Sequence, residues 1–67
     1  MEIELTKHAE KKRLWLEISY DQIEQALRAG SITKQTEGYL ACYTYFCVAF
    51  KIVNGYIYII KTVYIVR

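Results

Sequence analysis

The fold of this chain depends most on residues 41–67, which read ACYTYFCVAFKIVNGYIYIIKTVYIVR. The dipeptide Asn54-Gly55 lies between two runs of β-branched and aromatic residues. Asn and Gly tolerate the positive φ that both central residues of a type I′ turn require, so this pattern is the strongest short-range signal for a β-hairpin. The sequence therefore predicts a hairpin with arms Cys42–Val53 and Tyr56–Val66, joined by a two-residue turn.

A two-residue turn determines which side chains share a face of this hairpin. Val53 is then opposite Tyr56, and side chains alternate between the two faces along each arm. One predicted face is aliphatic and has to be covered by helices, and the other carries tyrosines and is free for a partner. The aliphatic face contains Phe46, Val48, Phe50, Ile52, Ile57, Ile59, Val63 and Ile65. The tyrosine face contains Tyr43, Tyr45, Cys47, Lys51, Tyr56, Tyr58, Ile60, Thr62 and Tyr64.

Lys61 breaks this pattern, because strict register places it on the aliphatic face opposite Val48. An unpaired ammonium group is costly to bury. Two arrangements avoid that cost. A β-bulge near Val48 or Lys61 would redirect the side chain. Alternatively, the strand end extends past the helices and the lysine reaches water. The sequence favours neither.

The size and composition of the chain limit its class. With 67 residues it forms a single domain, and a domain this small usually needs a staple or an oligomer. The net charge of +2 permits a nucleic-acid partner without requiring one. Residues 1–13 lack the apolar core of a signal peptide, and the charge-free run Gly38–Phe50 is shorter than the roughly 20 residues of a membrane helix. We therefore expect a cytoplasmic homo-oligomer that does not bind a membrane.

Cys42 and Cys47 are five residues apart on one predicted arm. Odd spacing along a strand places them on opposite faces, so the sequence predicts two free thiols rather than a bridge. The single histidine, His8, has no other ligand at the spacing of a zinc site. We expect neither a metal site nor a cofactor.

The N-terminal half contains two helix-start signals. Thr6 is the predicted N-cap of a helix over Lys7–Glu17. Leu5, Ala9 and Leu16, with Trp15, are predicted to form the apolar side of this helix. Ser19 and Gln22 have the spacing of a capping box, and the second helix that they open ends before Gly30, the expected C′ residue.

Short strands flank these helices at residues 2–5 and 31–36, where polar and apolar residues are mixed. The predicted fold is α+β, with two N-terminal helices packed on one face of a three- to four-stranded antiparallel sheet in the order β-α-α-β-β-β.

Short motifs occur over nearly the whole chain. They are Thr6-Lys7-His8-Ala9, then Ile18-Ser19 with Ile23-Glu24 and Ala26-Leu27, and finally Lys61-Thr62-Val63-Tyr64. In these motifs the chain resembles a family of small prokaryotic domains of unassigned function. Those domains open with a His-Ala helix, carry an Ile-Ser/Thr-x-x-x-Ile-Glu-x-Ala/Val-Leu second helix and end in a Thr-Val-Tyr strand. The family is similar in fold to the RelE/ParE-like and BrnT-like toxins of toxin–antitoxin pairs.

The resemblance implies a basic or tyrosine-bearing site on the sheet and the C-terminal strand, where the nuclease members cleave messenger RNA on the ribosome. It also implies an antitoxin chain that neutralises the protein. This chain has Lys12 where the family usually has an arginine, and Leu16 where a second arginine is expected.

A metal-independent ribonuclease needs a base for the 2′-hydroxyl, a cation for the phosphorane charge and an acid for the leaving oxygen. The candidates for these roles are Lys51, Tyr58, Lys61 and Tyr64, with Arg67 as a further cation. Lys51 and Tyr58 form the best-defined pair, since the predicted register makes them cross-strand neighbours. A lysine beside a tyrosine is also a common solvated pair on any sheet.

The candidate binding residues are His8, Lys12, Tyr43, Tyr45, Tyr56 and Arg67. The tyrosines suit a protein interface, an ordinary strand surface or base stacking. His8 is either a site residue or a first-turn histidine that orients the helix against the sheet through a hydrogen bond. The basic run Lys7–Arg13 suits phosphate contacts, but Glu10 interrupts it.

Two functions from different classes follow from these residues and motifs. The first is a toxin-like module that binds or cleaves translation-associated RNA or acts on the ribosome, and is neutralised by an antitoxin. The second is a non-enzymatic interaction domain that homo-oligomerises or binds protein through its tyrosine-rich face.

Overall fold

A computed structural model of the chain describes residues 1–66. These residues form two helices and five strands: β1 (Glu2–Leu5), α1 (Lys7–Trp15), α2 (Tyr20–Ala29), β2 (Ser31–Gln35), β3 (Gly38–Tyr43), β4 (Phe46–Val53) and β5 (Ile57–Ile65). The strands make one sheet in the order β1-β5-β4-β3-β2. β1 is parallel to β5, and the other neighbours are antiparallel. The α+β class is confirmed, but the sheet has one more strand than predicted and is mixed rather than antiparallel.

The additional strand arises because the predicted arm Cys42–Val53 is divided by a tight turn. β3 ends at Tyr43, β4 begins at Phe46, and Thr44 between them has a φ of 52°. A threonine in the left-handed region is uncommon, because its β-branched side chain clashes there. The sequence shows no Gly or Asn at this point, so local turn signals do not predict the break.

The helix-start signals are confirmed. The Thr6 side chain accepts a hydrogen bond from the Ala9 N–H, and Ser19 and Gln22 form the reciprocal capping box. α1 ends at Trp15, two residues before the predicted end.

Gly30 is required for a different reason from the one predicted. It has a φ of −76°, so it is not the left-handed C′ residue. A Cβ at this position would lie 2.5 Å from the Ala26 carbonyl oxygen and 2.9 Å from that of Cys42. The close approach of α2 to β3 therefore requires a glycine.

Both helices pack on one face of the sheet, α1 against β5 and α2 against β3 and β4. The core between them consists of Ala9, Ile18, Ile23, Ala26, Leu27, Ala41, Phe46, Val48, Phe50, Ile60 and Val63. Ile18 precedes the cap of α2 and Ile23 lies in its first turn, so this buried pair forms a hydrophobic staple.

The hairpin of β4 and β5 has the predicted turn but a different register. Asn54 and Gly55 have φ values of 56° and 79°, as a type I′ turn requires. Val53 nevertheless pairs with Ile57 rather than with Tyr56, so the ladder is shifted by one residue. This shift moves residues 57–60 of β5 to the face opposite the predicted one. Beyond Lys61 the offset becomes two residues, so residues 62–65 keep their predicted faces.

Lys61 lies at a β-bulge. Ala49 pairs with Thr62 and Phe50 with Ile60, which leaves Lys61 as the extra residue of β5. The bulge alternative is therefore the correct one. The lysine avoids the core, and its Nζ donates a hydrogen bond to the Glu37 carbonyl oxygen.

Candidate functional site

The face of the sheet opposite the helices carries a patch of apolar side chains, which we call the open face. Its members are Leu40, Cys42, Cys47, Ala49, Val53, Ile57 and Ile59. Pairings place Leu40 beside Ala49, Cys42 beside Cys47 and Val53 beside Ile57, while Ile59 has Lys51 as its neighbour on β4. Neither helix of residues 1–66 covers this face, and most of these side chains are only half-buried. The open face is thus an apolar surface of the sheet that the core does not use.

A disulfide between Cys42 and Cys47 lies at one end of the open face, with an S–S distance of 2.02 Å. The two cysteines are directly opposite each other on β3 and β4. The prediction of two free thiols is wrong, because the turn at Thr44 and Tyr45 places the cysteines on neighbouring strands rather than on one. This disulfide is a staple of the kind that a domain of this size usually needs.

Reducing the disulfide is expected to lower the free energy of unfolding by about 2 kcal/mol, because a bridge across a sequence separation of 5 restricts a short loop of the unfolded chain. Urea unfolding with and without a phosphine reductant measures this effect. A Cys42→Ser/Cys47→Ser double variant is the control and should not respond to the reductant. An oxidised protein whose unfolding midpoint is unchanged by reduction would contradict the expectation.

The predicted catalytic pair does not come together. Lys51 pairs with Ile59 and projects from the open face, whereas Tyr58 pairs with Ile52 and lies on the helix side. Tyr58 stacks on Phe50 there, with ring centroids 5.7 Å apart. The predicted pairing assumed that two residues connect β4 and β5. The one-residue shift in the register of β5 instead places Lys51 and Tyr58 on opposite faces of the sheet.

The remaining catalytic candidates occupy separate positions. Lys61 is tied to Glu37 at the turn between β2 and β3, while Tyr64 pairs with Cys47 near the other end of the sheet. Within residues 1–66, no hydrogen bond joins any two of the four candidates. Arg67 lies outside the described residues.

The predicted tyrosine face forms only in part. Cys47, Lys51, Thr62 and Tyr64 lie on the face without helices, but the other four tyrosines do not. Tyr43 packs edge-on against Phe46 on the helix side, with ring centroids 6.4 Å apart. Tyr45 lies in the β3–β4 turn and accepts a hydrogen bond from the Gln22 amide. Tyr56 lies in the β4–β5 turn. The face without helices is therefore mainly aliphatic and keeps one tyrosine, Tyr64, because the extra turn and the shifted register move the others away.

On α1, His8 and Lys12 have different environments. His8 Nε2 lies 3.1 Å from the Thr62 hydroxyl oxygen, which is the hydrogen bond expected of a histidine that orients the helix against the sheet. Lys12 lies half-buried one turn further along.

Charged pairs at the surface shift two carboxyl pKa values in opposite directions. Hydrogen bonds from Arg13 lower the pKa of Glu10, since they stabilise the carboxylate. A hydrogen bond with the Glu2 carboxyl, together with partial desolvation and the charge of Glu2, raises the pKa of Glu4. Glu2 and Glu4 pair with Ile57 and Ile59, so they form an acidic rim along the β1 edge of the open face.

Sequence reasoning missed the exposure of Trp15, which it assigned to the apolar side of the first helix. Trp15 is 83% exposed. Helical periodicity indicates this exposure. Trp15 is six positions after the buried Ala9, and over six residues a helix turns by about 600°, which leaves the two side chains about 120° apart around the helix axis.

In residues 1–66, no group of three or more His, Cys, Asp or Glu side chains is placed to hold a metal ion. No helix in the same range is long and apolar enough to cross a membrane. No protein-family model, curated protein or solved structure matches this chain. The resemblance to the toxin-like family therefore stays a prediction.

Proposed function

We propose that this protein is a non-enzymatic interaction domain that self-associates through the open face of its sheet. The observation that carries the proposal is the aliphatic patch across β3, β4 and β5, which lies opposite both helices. Contiguous exposed apolar patches usually mark interaction sites, because their burial is favourable by about 25 cal/mol per Å².

The shape of the open face suits a second sheet. Its centre is Ala49, whose small side chain lies between Leu40 on β3 and Thr62 on β5. Two sheets that pack face to face approach to about 10 Å, and small central side chains permit that approach. A domain of this size also gains stability from an oligomer, since its own core is small.

The charges around the patch are complementary to one another. Glu2 and Glu4 line the β1 edge. Lys51 lies within the patch, opposite Ile59 on β5. In a two-fold dimer the same patch meets itself, so a surface with charges of both signs allows ion pairs between copies. Lys61 is held at the β2–β3 turn by Glu37, which keeps its charge away from the centre of the patch.

Sedimentation equilibrium tests the proposal, with twice the chain mass of 7.9 kDa as the expected result at micromolar concentration. An Ile59→Lys variant should be monomeric, since it places a second ammonium group directly beside that of Lys51. Ile52→Lys is the matched control, because Ile52 is 37% exposed on the opposite face and should not affect association. A monomeric wild-type protein, or equal dissociation of both variants, would overturn the proposal.

The toxin hypothesis stays a prediction, and the best-defined catalytic pair of its nuclease form was Lys51 with Tyr58. Translation in a cell-free extract distinguishes it from the interaction domain. Codon-phased cleavage of messenger RNA that a Lys51→Ala/Tyr58→Phe variant abolishes would support the toxin and contradict a purely non-enzymatic domain.

A further inference from the structure

The solvent side of α1 carries a stripe of cations that ends in two exposed apolar side chains. Lys7 and Lys11 are exposed and one turn apart, and Lys12 is half-buried beside them. Leu14 and Trp15 follow in the last turn of the helix, 61% and 83% exposed. The open face lies on the other side of the sheet, so this surface is separate from the proposed self-association site.

In the sequence, Glu10 interrupts the basic run Lys7–Arg13, but in the structure its negative charge is paired with Arg13. Both Glu10 carboxylate oxygens accept hydrogen bonds from Arg13, from Nε at 2.7 Å and from the terminal nitrogen at 2.9 Å. Arg13 also donates to the Ile18 carbonyl oxygen at 3.2 Å, which anchors the pair at the end of the helix. Glu10 is therefore neutralised within the helix by Arg13.

The lysines have no such acidic partner. Among residues 1–66, the salt bridges join Arg13 to Glu10 and Arg28 to Glu24, and neither includes Lys7, Lys11 or Lys12. Three ammonium groups are thus available to an anionic partner along a little more than one turn of helix.

Trp15 lies three and four residues after Lys12 and Lys11, so its ring is on the same side of the helix. A large aromatic ring that stays in water gives up the favourable burial that it would gain in a core. An exposed indole ring beside ammonium groups suits a ligand that has both negative charges and planar rings that can stack on the indole.

We propose that α1 binds single-stranded nucleic acid, with a base stacked on Trp15 and phosphates contacted by Lys7, Lys11 and Lys12. Cationic surfaces with an aromatic platform recognise single strands in this way. An acidic peptide would satisfy the lysines but not the indole. A lipid surface needs a wide apolar helix face, and the inward face of α1 is already packed through Ala9.

Fluorescence of Trp15 reports this interaction directly, because it is the single tryptophan of the chain. Titration with oligouridylate RNA and oligothymidylate DNA should quench it without a blue shift. The logarithm of the association constant should fall with the logarithm of salt concentration with a slope of about −2, from roughly 0.7 per phosphate and three lysines. Binding without a salt dependence, or the absence of quenching by both oligonucleotides, would overturn the proposal.

Anisotropy of a labelled oligonucleotide measures the variants. Trp15→Ala and Lys7→Gln/Lys11→Gln should each weaken binding about tenfold, and their exposed positions preserve the fold. Tyr56→Ala and Lys34→Gln are matched controls, an exposed aromatic residue and an exposed lysine away from α1. Equal losses in the controls would contradict the site on α1.

Two further probes distinguish other partners. A blue shift of Trp15 emission on addition of vesicles with anionic lipid would indicate a membrane ligand and overturn the proposal. Binding of polyglutamate as tight as that of the oligonucleotide would indicate an acidic peptide and overturn it as well. Trp15→Ala should leave the sedimentation of the protein unchanged, so a failure of this inference is distinguishable from a failure of the self-association.

Discussion

Replacing Gly38 with alanine is expected to destabilise the protein by about 3 kcal/mol or more. Two effects add: alanine is strained at the positive φ of this position, and its Cβ would clash with the backbone of the neighbouring strand. Gly38 begins β3 with a φ of +113°, a conformation that L side chains rarely adopt. A Cβ there would lie 2.5 Å from the Phe50 carbonyl oxygen. Because the obstacle is the backbone of β4, relief requires that the two strands separate.

A loss of this size is a large part of the whole stability of a small domain, about 0.05–0.15 kcal/mol per residue. For 67 residues that range is about 3–10 kcal/mol, so we expect Gly38→Ala to lose about a third or more of its stability and to unfold at a clearly lower urea concentration than the wild-type protein. Far-UV circular dichroism during urea titration measures this better than tryptophan fluorescence, because Trp15 is exposed in the folded state.

Gly55→Ala is the matched control for Gly38→Ala. Gly55 also has a positive φ, 79°, but no atom lies within 4 Å of a Cβ built there. Its substitution should cost only the left-handed conformation, about 1–2 kcal/mol. If both variants lost the same stability, the contact between Gly38 and Phe50 would not be a determinant of the fold.

Replacing Phe50 with alanine is expected to cost about 3–5 kcal/mol, which is typical of a buried aromatic residue. Phe50 is 2% exposed and stacks between Tyr39 and Tyr58, with ring centroids 5.5 and 5.7 Å away. It also pairs with Ile60 directly beside the bulge. Its removal leaves a cavity in the core between the sheet and the helices.

Ile52→Ala is the control for Phe50→Ala, since Ile52 lies two residues further along the same face of β4 but is exposed. It should cost less than about 1 kcal/mol. Thermal and urea unfolding of both variants measure the difference. A small effect of Phe50→Ala would contradict the assignment of the helix-covered face.

Comparison of these elements shows which features depend on local sequence. The caps Thr6 and Ser19 involve residues three positions away, and the dihedral angles of Asn54 and Gly55 depend on those two residues alone. Such short-range interactions are nearly the same in any fold, so the sequence predicts them correctly.

The predicted pairings within the candidate site depended on long-range alignment, and those pairings were wrong. The position of Tyr58 followed from a count of residues in one connection, and the separation of Cys42 from Cys47 followed from a single long strand. The additional connecting residue between β4 and β5 moves Tyr58 to the other face, and the additional turn between β3 and β4 brings Cys42 and Cys47 together. The exposed Trp15, by contrast, could have been found from helical periodicity.

The sequence by itself determined the α+β class, both helix starts, the turn at Asn54-Gly55 and the need to redirect Lys61. Only the tertiary structure decided the register of β5, the parallel addition of β1, the Cys42–Cys47 bridge and the aliphatic character of the open face. The physical reason is that a one-residue shift in a sheet changes few local interactions but exchanges the two faces, so the packing of the helices selects between registers that the local sequence permits almost equally.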